Sequence, residues 1–197
     1  MIDEVEVVRA ENEPLDDIEA MLEGRIFHVT KREHWLAIKQ CGVIRPNQDG
    51  SLPTTFGFST NSHFRKRGCV SLFDWRDATK EVRSFRYHCW PLTHAVPGGN
   101  GIAILFLKPG IVGRLITWEK WKQEAPWLKE MVVPHVEAGH EGRIPIEDIE
   151  RVLLLRRTVN EAWRAEESQR LESLIAETIA KHARADEAKS GPPGAQG

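Results

Sequence analysis

The chain has 197 residues, of which 41% are hydrophobic and 28% charged, with a formal net charge of −2. These values fit a globular chain with room for one real core. They announce neither a polybasic nucleic-acid binder nor a membrane protein, because no apolar run approaches the about 20 residues that span a bilayer. Cysteines number three (Cys41, Cys69, Cys89), and their scattered spacing argues against a disulfide framework or a zinc knuckle. With an acidic start and no apolar signal core behind it, the chain reads as cytoplasmic.

Residues 1–24 form an acidic segment with one short helix expected over Leu15 to Leu22. A domain is then expected over residues 25–157. Ile26 to Val29 reads as a strand and Lys31 to Gln40 as a helix stopped by Gly42. Thr30 with Glu33 three residues later matches a capping box, so Thr30 is expected to cap that helix. Residues 45–57 are rich in Pro, Asn and Gly and predict a loop. Cys69 to Trp75 alternates as a strand does, and Ile102 to Leu107 is a continuous apolar run suited to a buried central strand. Thr117 to Lys122 predicts a short helix. Met131 to Glu137 predicts a strand, with Pro134 placing it at an edge or a bulge. Arg151 to Leu155 is expected to be the last strand.

After Arg157 the character changes. Val159, Trp163, Leu171, Leu174, Ile175 and Ile179 recur at helical spacing in a charged background, which predicts an amphipathic helix over residues 158–186. Such a helix packs on its own domain, forms a homo-oligomer or captures a partner. Residues 187–197, with Gly and Pro concentrated in them, are expected to be disordered.

Three places could carry chemistry. His28 stands near the end of its strand and Glu137 at the end of another. An imidazole and a carboxylate so placed can hold a nucleotide ribose and support cleavage at its anomeric carbon. Phe56-Gly57-Phe58-Ser59-Thr60 sets aromatic rings beside a glycine that admits a ligand closely, with hydroxyls following. His135, Glu137 and His140 could approach one another, but no other His or Cys has metal-ligand spacing, so no metal is expected. Cys69 and Cys89 lie among histidines with nothing to orient a nucleophile. The basic residues Arg65, Lys66, Arg67, Arg83 and Arg86, interleaved with Trp75, Tyr87 and Trp90, form either a solvated face or a track for a nucleic-acid backbone.

Taken together, Phe27-His28-Val29-Thr30, the Phe56 to Thr60 stretch, and Glu137 followed by Gly142-Arg143-Ile144-Pro145-Ile146 resemble the three motifs of the ADP-ribosyltransferase superfamily. The resemblance covers roughly residues 25–155. Among its members the DarT-type toxins, which modify DNA bases, show a similar Glu-to-Pro spacing. The RNA 2′-phosphotransferases are more distant relatives on the same scaffold. The resemblance implies an α+β fold, with a split, antiparallel-rich sheet, flanking helices and the appended C-terminal amphipathic helix. It implies NAD as substrate, no membrane, and a macromolecular acceptor: DNA, RNA or protein. A toxin or effector role with a neutralising partner is consistent with it.

The same resemblance implies roles. His28 would bond the ribose hydroxyls of NAD, with Thr30 or Ser59 assisting in the pocket. Phe58 or Tyr87 would stack on nicotinamide, since Phe58-Ser59 and Tyr87-His88 both qualify as the second motif. Arg76 or Arg65 would contact the pyrophosphate, and Glu137 would hold the nicotinamide ribose and stabilise the oxocarbenium-like transition state. The Arg-rich segment of the DarT-type toxins is echoed only loosely. The expected function is therefore an NAD-dependent ADP-ribosyltransferase. The alternatives are a non-catalytic nucleotide- or nucleic-acid-binding module and an RNA 2′-phosphotransferase-like enzyme.

Overall fold

The computed structural model describes residues 2–54, 62–77, 79–124 and 132–189. The chain divides into two compact units, Met1–Thr158 and Val159–Gly197. The first unit is mixed α/β, with a large, mostly antiparallel sheet and flanking helices.

Its elements run in order β1 (Asp3–Ala10), α1 (Asp16–Leu22), β2 (Ile26–Lys31), α2 (Arg32–Cys41), β3 (Val43–Ile44), α3 (His63–Lys66), β4 (Cys69–Asp74) and α4 (Lys80–Arg86). Two short 3-10 turns, Tyr87–Cys89 and Pro91–His94, lead to β5 (Ile102–Leu107). Then follow β6 (Leu115–Ile116), α5 (Trp118–Glu124), β7 (Glu137–Glu141), β8 (Ile144–Pro145) and β9 (Ile149–Thr158). The second unit carries α6 (Glu161–Lys189).

Seven strands form the main sheet in the order β1-β9-β5-β2-β4-β7-β6, and β3 pairs with β8 in a separate ribbon. Only β1 and β9 run parallel; every other pair is antiparallel. All six side chains of β5 are buried, as its unbroken apolar run requires. Alternate residues feed two cores. Ile102, Ile104 and Phe106 join Phe27, Val29 and Phe73 on one face, where Ile18 and Leu22 of α1 pack. Ala103, Leu105 and Leu107 join Ile26 and Leu72 on the other, where Trp35 of α2 packs. Each such apolar side chain contributes roughly 1.5–3 kcal/mol on burial.

Three expectations are corrected. The acidic N-terminal segment holds a strand, β1, which pairs along its whole length with β9 from Asp3↔Arg151 to Ala10↔Thr158. Its charges meet partners: Glu4 binds Lys39, Glu6 binds Arg32 and Asp3 binds Arg151. Next, Thr30 does not cap α2. Strand β2 continues to Lys31 because β5 offers it partners as far as Thr30↔Ala103 and Lys31↔Ile102. Lys31 takes the N-cap position with no side-chain cap bond, while Gly42 ends the helix as expected in the left-handed region (φ 72°). Finally, Glu137 opens a strand rather than closing one. Residues 134–136 form a turn, because Pro134 has no N–H for a ladder and His135 adopts φ 58°.

Helix α6 extends through Lys189, past residue 187 where disorder was expected. Its apolar residues Trp163, Leu171, Leu174, Ile175 and Ile179 are exposed. No helix among the described residues is long and apolar enough to cross a membrane.

Candidate active site in the fork of the sheet

Strands β2 and β4 pair only at Ile26↔Asp74 and Phe27↔Phe73. Beyond that point β2 follows β5 and β4 follows β7, so the sheet forks. A cavity of about 930 Å³ occupies the fork and draws its walls from both cores, with Ile38, Val70 and Leu72 from one and Val29, Phe73 and Trp90 from the other. It therefore passes between the strands. Its size sits near the top of the roughly 300–1,000 Å³ range of small-molecule sites.

His28, Thr30, Tyr87 and Glu137 all line this one cavity. The cross-strand register Phe27↔Phe73↔Glu137 puts Glu137 on the opposite sheet face from His28, which neighbours Phe27. They share a cavity because the sheet is open between them.

The His28 ring bridges the fork. Its Nδ1 lies 2.9 Å from the Ser71 carbonyl oxygen of β4. A carbonyl only accepts, so Nδ1 carries the proton and donates. Burial holds the His28 pKa below the ordinary histidine value, against a smaller opposing pull from the Ser71 carbonyl. The neutral ring is left with Nε2 as an acceptor, suited to a hydroxyl. Beside it, Thr30 Oγ1 lies 3.2 Å from Nδ1 of His34, another residue of the cavity wall.

Glu137 is set by the turn before it. The Val133 N–H donates to Glu137 Oε2 at 2.7 Å, and the Glu137 N–H returns a bond to the Val133 carbonyl at 3.1 Å. Burial pushes the Glu137 pKa above the usual glutamate value, and the Val133 N–H opposes it. A carboxylate so desolvated and fixed is strongly sensitive to positive charge appearing near it.

Tyr87 is 80% exposed and stacks on Trp90 at 6.1 Å between ring centroids. Trp90 in turn packs against the buried Trp75. Tyr87 thus forms a rim over an aromatic wall. Phe58 and Ser59 lie outside the described residues.

Arg76 does not join this group. Its guanidinium makes a two-point pair with Asp74, at 2.8 and 2.6 Å, and lines a second, smaller cavity. Among the described residues, the arginines that line the main cavity are Arg45 and Arg65, and Arg65 Nε donates to the Asn47 carbonyl at 2.9 Å. Among the described wall residues, Glu137 is the one carboxylate. Arg45 and His34 were not assigned roles from sequence, and Trp90 was read only as an aromatic within the basic stretch. Arg45 stands just before Pro46 in the turn-rich loop, which is its only local signal.

Two other expectations resolve. Burial pushes the Cys89 thiol up to about 12, with nearby Glu137 adding to it, and the Cys69 thiol up to about 11. Neither is a thiolate nucleophile near neutrality. The basic stretch is largely spent internally: Arg67 pairs with Glu124 and Glu141, and Arg83 and Arg86 pair with Glu23. Arg86 also donates to the Trp75 and Asp77 carbonyls and lies 4.5 Å over the Trp75 ring, so it is a packing residue.

No protein-family model matches the chain, and neither a curated protein nor a solved structure matches it.

Proposed function

We propose that the protein is an NAD-dependent ADP-ribosyltransferase. One observation carries the reading: His28 and Glu137, far apart in sequence, line one cavity in the fork of the sheet. The cavity has the polarity that NAD needs. Arg45 and Arg65 suit its pyrophosphate, because guanidinium donors match phosphate oxygens. His28 Nε2 accepts from a ribose hydroxyl, and the Tyr87–Trp90 rings offer a flat surface to nicotinamide.

Glu137 supplies the transition-state charge. As the bond from the ribose anomeric carbon to nicotinamide lengthens, positive charge grows on the sugar. A carboxylate held by Val133 in a partly desolvated wall stabilises that charge more than it stabilises the ground state. Nicotinamide is a good leaving group, so positioning and this electrostatic contribution supply most of what the reaction needs.

The experiment is NAD turnover by wild type and Glu137→Gln. Nicotinamide release that stops in the variant supports the reading; equal rates remove it. A second reading is favoured by the basic lining of the same cavity: transfer of a 2′-phosphate from RNA to NAD. Nicotinamide release that depends strictly on a 2′-phosphorylated RNA would select it.

A further inference from the structure

Val133 to Glu137 is a tight turn closed by its own main chain. The N–H groups of Val136 and Glu137 both donate to the Val133 carbonyl, at 3.3 and 3.1 Å. Pro134 is the second residue of the turn, and His135, with φ 58°, is the third. A proline followed by a positive φ marks the type II turn, whose third position ordinarily goes to Gly or Asn. Among the described residues His135 is the one non-glycine with a positive φ. Its β-carbon makes that conformation costly, and a costly conformation persists only where the surroundings over-determine it.

Here the surroundings act on the ring. His135 Nδ1 donates to Glu119 Oε1 of α5 at 3.1 Å. The ring centroid lies 5.7 Å from that of Trp118, also on α5, and 5.9 Å from that of Phe85 on α4. Glu119 is largely exposed, so its bond contributes modestly and the two aromatic contacts carry more of the hold. The next residue, Val136, is fully buried, and its carbonyl accepts from the Asp74 N–H at 2.7 Å. The turn is therefore pinned twice: by main chain to the end of β4, and by one ring held between two helices.

We propose that His135 is a positioning residue for Glu137: its ring, held between α4 and α5, keeps the turn in the shape that aims the Val133 N–H at the Glu137 carboxylate. The inference rests on the function proposed above and deepens it. While the ring is anchored, the Val133 N–H stays on Glu137 Oε2 at 2.7 Å and the carboxylate keeps one place in the cavity wall. A group that must meet developing charge gains from being fixed beforehand. Val133 and Glu137 line the main cavity, whereas His135 lines the smaller one. The ring thus acts through Glu137 and not on the dinucleotide.

His135→Gly is the test, because it lets the turn form without strain and removes the anchor. The variant melts close to wild type and binds NAD with unchanged Kd in calorimetry. Its kcat for nicotinamide release falls about 10–10²-fold at constant KM, the scale of a small misplacement of a catalytic group. Glu119→Ala gives a smaller loss, and the double variant is no slower than His135→Gly, since both act through one ring. A readout independent of activity is hydrogen exchange at the Val133 amide, whose protection falls about tenfold in His135→Gly, the loss expected for one hydrogen bond. Should His135→Gly fail to fold, His135→Asn, which tolerates a positive φ, carries the same expectations. Wild-type kcat together with wild-type Val133 protection overturns the inference, and additive losses overturn the shared anchor. If wild type itself releases no nicotinamide, the underlying reading falls, and the link from His135 to the carboxylate then stands or falls on Val133 protection alone.

Discussion

The His28 ring donates from Nδ1 to the Ser71 carbonyl across 2.9 Å, at the point where β2 and β4 part. One side chain therefore replaces the ladder where backbone pairing stops. It also fixes which ring nitrogen is left to face a ligand. The prediction is that His28→Ala costs about 1 kcal/mol of stability, the net worth of such a bond, and weakens NAD binding. Because burial lowers the folded pKa of His28, folding favours the neutral ring. Its contribution is complete above the ordinary histidine value and is lost as pH falls through the lower folded one. Ring resonances followed by NMR should show His28 still neutral where exposed histidines are half protonated; ordinary titration would refute the tautomer argument.

Glu137→Gln should lower NAD cleavage by about 10²–10³-fold, the usual scale for one preorganised electrostatic partner. The same change should raise the melting temperature near neutrality. Burial raises the folded pKa of Glu137, so folding favours its protonated form. Wild type then loses stability as pH climbs from the ordinary glutamate value to the raised one. Glutamine keeps an acceptor for the Val133 N–H without the buried charge. Melts across pH check this: the variant's advantage should vanish in acid, and a variant less stable at pH 7 would contradict it. Catalysis should rise with pH through the same raised value.

Arg45→Ala should weaken NAD binding about tenfold, as expected for loss of one guanidinium–phosphate contact. Nicotinamide riboside, which has no phosphate, should bind both proteins alike. Equal losses for the two ligands would move the pyrophosphate elsewhere in the cavity.

Gly139→Ala tests the packing beneath the site. A Cβ there would stand 2.2 Å from Cδ1 of Phe64, a ring that is fully buried. The expected cost is about 1–3 kcal/mol, as for other overpacked cores. Denaturant unfolding measures it, and an unchanged midpoint would show that the Phe64 ring yields freely.

The thiols give a simple check on burial at the cavity wall. Cys41 is exposed, whereas burial lifts the Cys89 and Cys69 thiols to about 12 and about 11. Iodoacetamide at pH 8 should modify native Cys41 first and leave the other two protected until the chain unfolds. Rapid labelling of Cys89 would mean that the wall beside Glu137 opens readily.

Much of this architecture was legible from residue pattern. The apolar run of β5, the strand holding His28 and the glycine stop after α2 each announce themselves locally. Other features are set by distant partners. Thr30 looks like a cap in isolation, yet β5 extends β2 past it. The acidic β1 alternates only over Glu4-Val5-Glu6-Val7 and is mostly exposed, so its place rests on backbone pairing with β9, with Val7 alone packed against the core cluster it reaches. Glu137 carried a readable motif, but its place at the start of β7 depends on a turn whose key residue, His135, has a positive φ that no pattern announces. The Ser71 carbonyl that orients His28 is main chain and leaves no signature in residue type. Arg76 looked available for phosphate until Asp74, two residues earlier, engaged its Nε and Nη2.

The pairing of β1 with β9 also bears on how this chain emerges from the ribosome. Asp3 lies opposite Arg151, and Ala10 opposite Thr158. Strand β1 thus waits for β9, the last strand of its unit, before it has an edge to dock on. Contacts of such long sequence separation slow folding. In the meantime the nascent chain keeps its opening strand charged rather than greasy, which lowers the risk of mispairing during the delay.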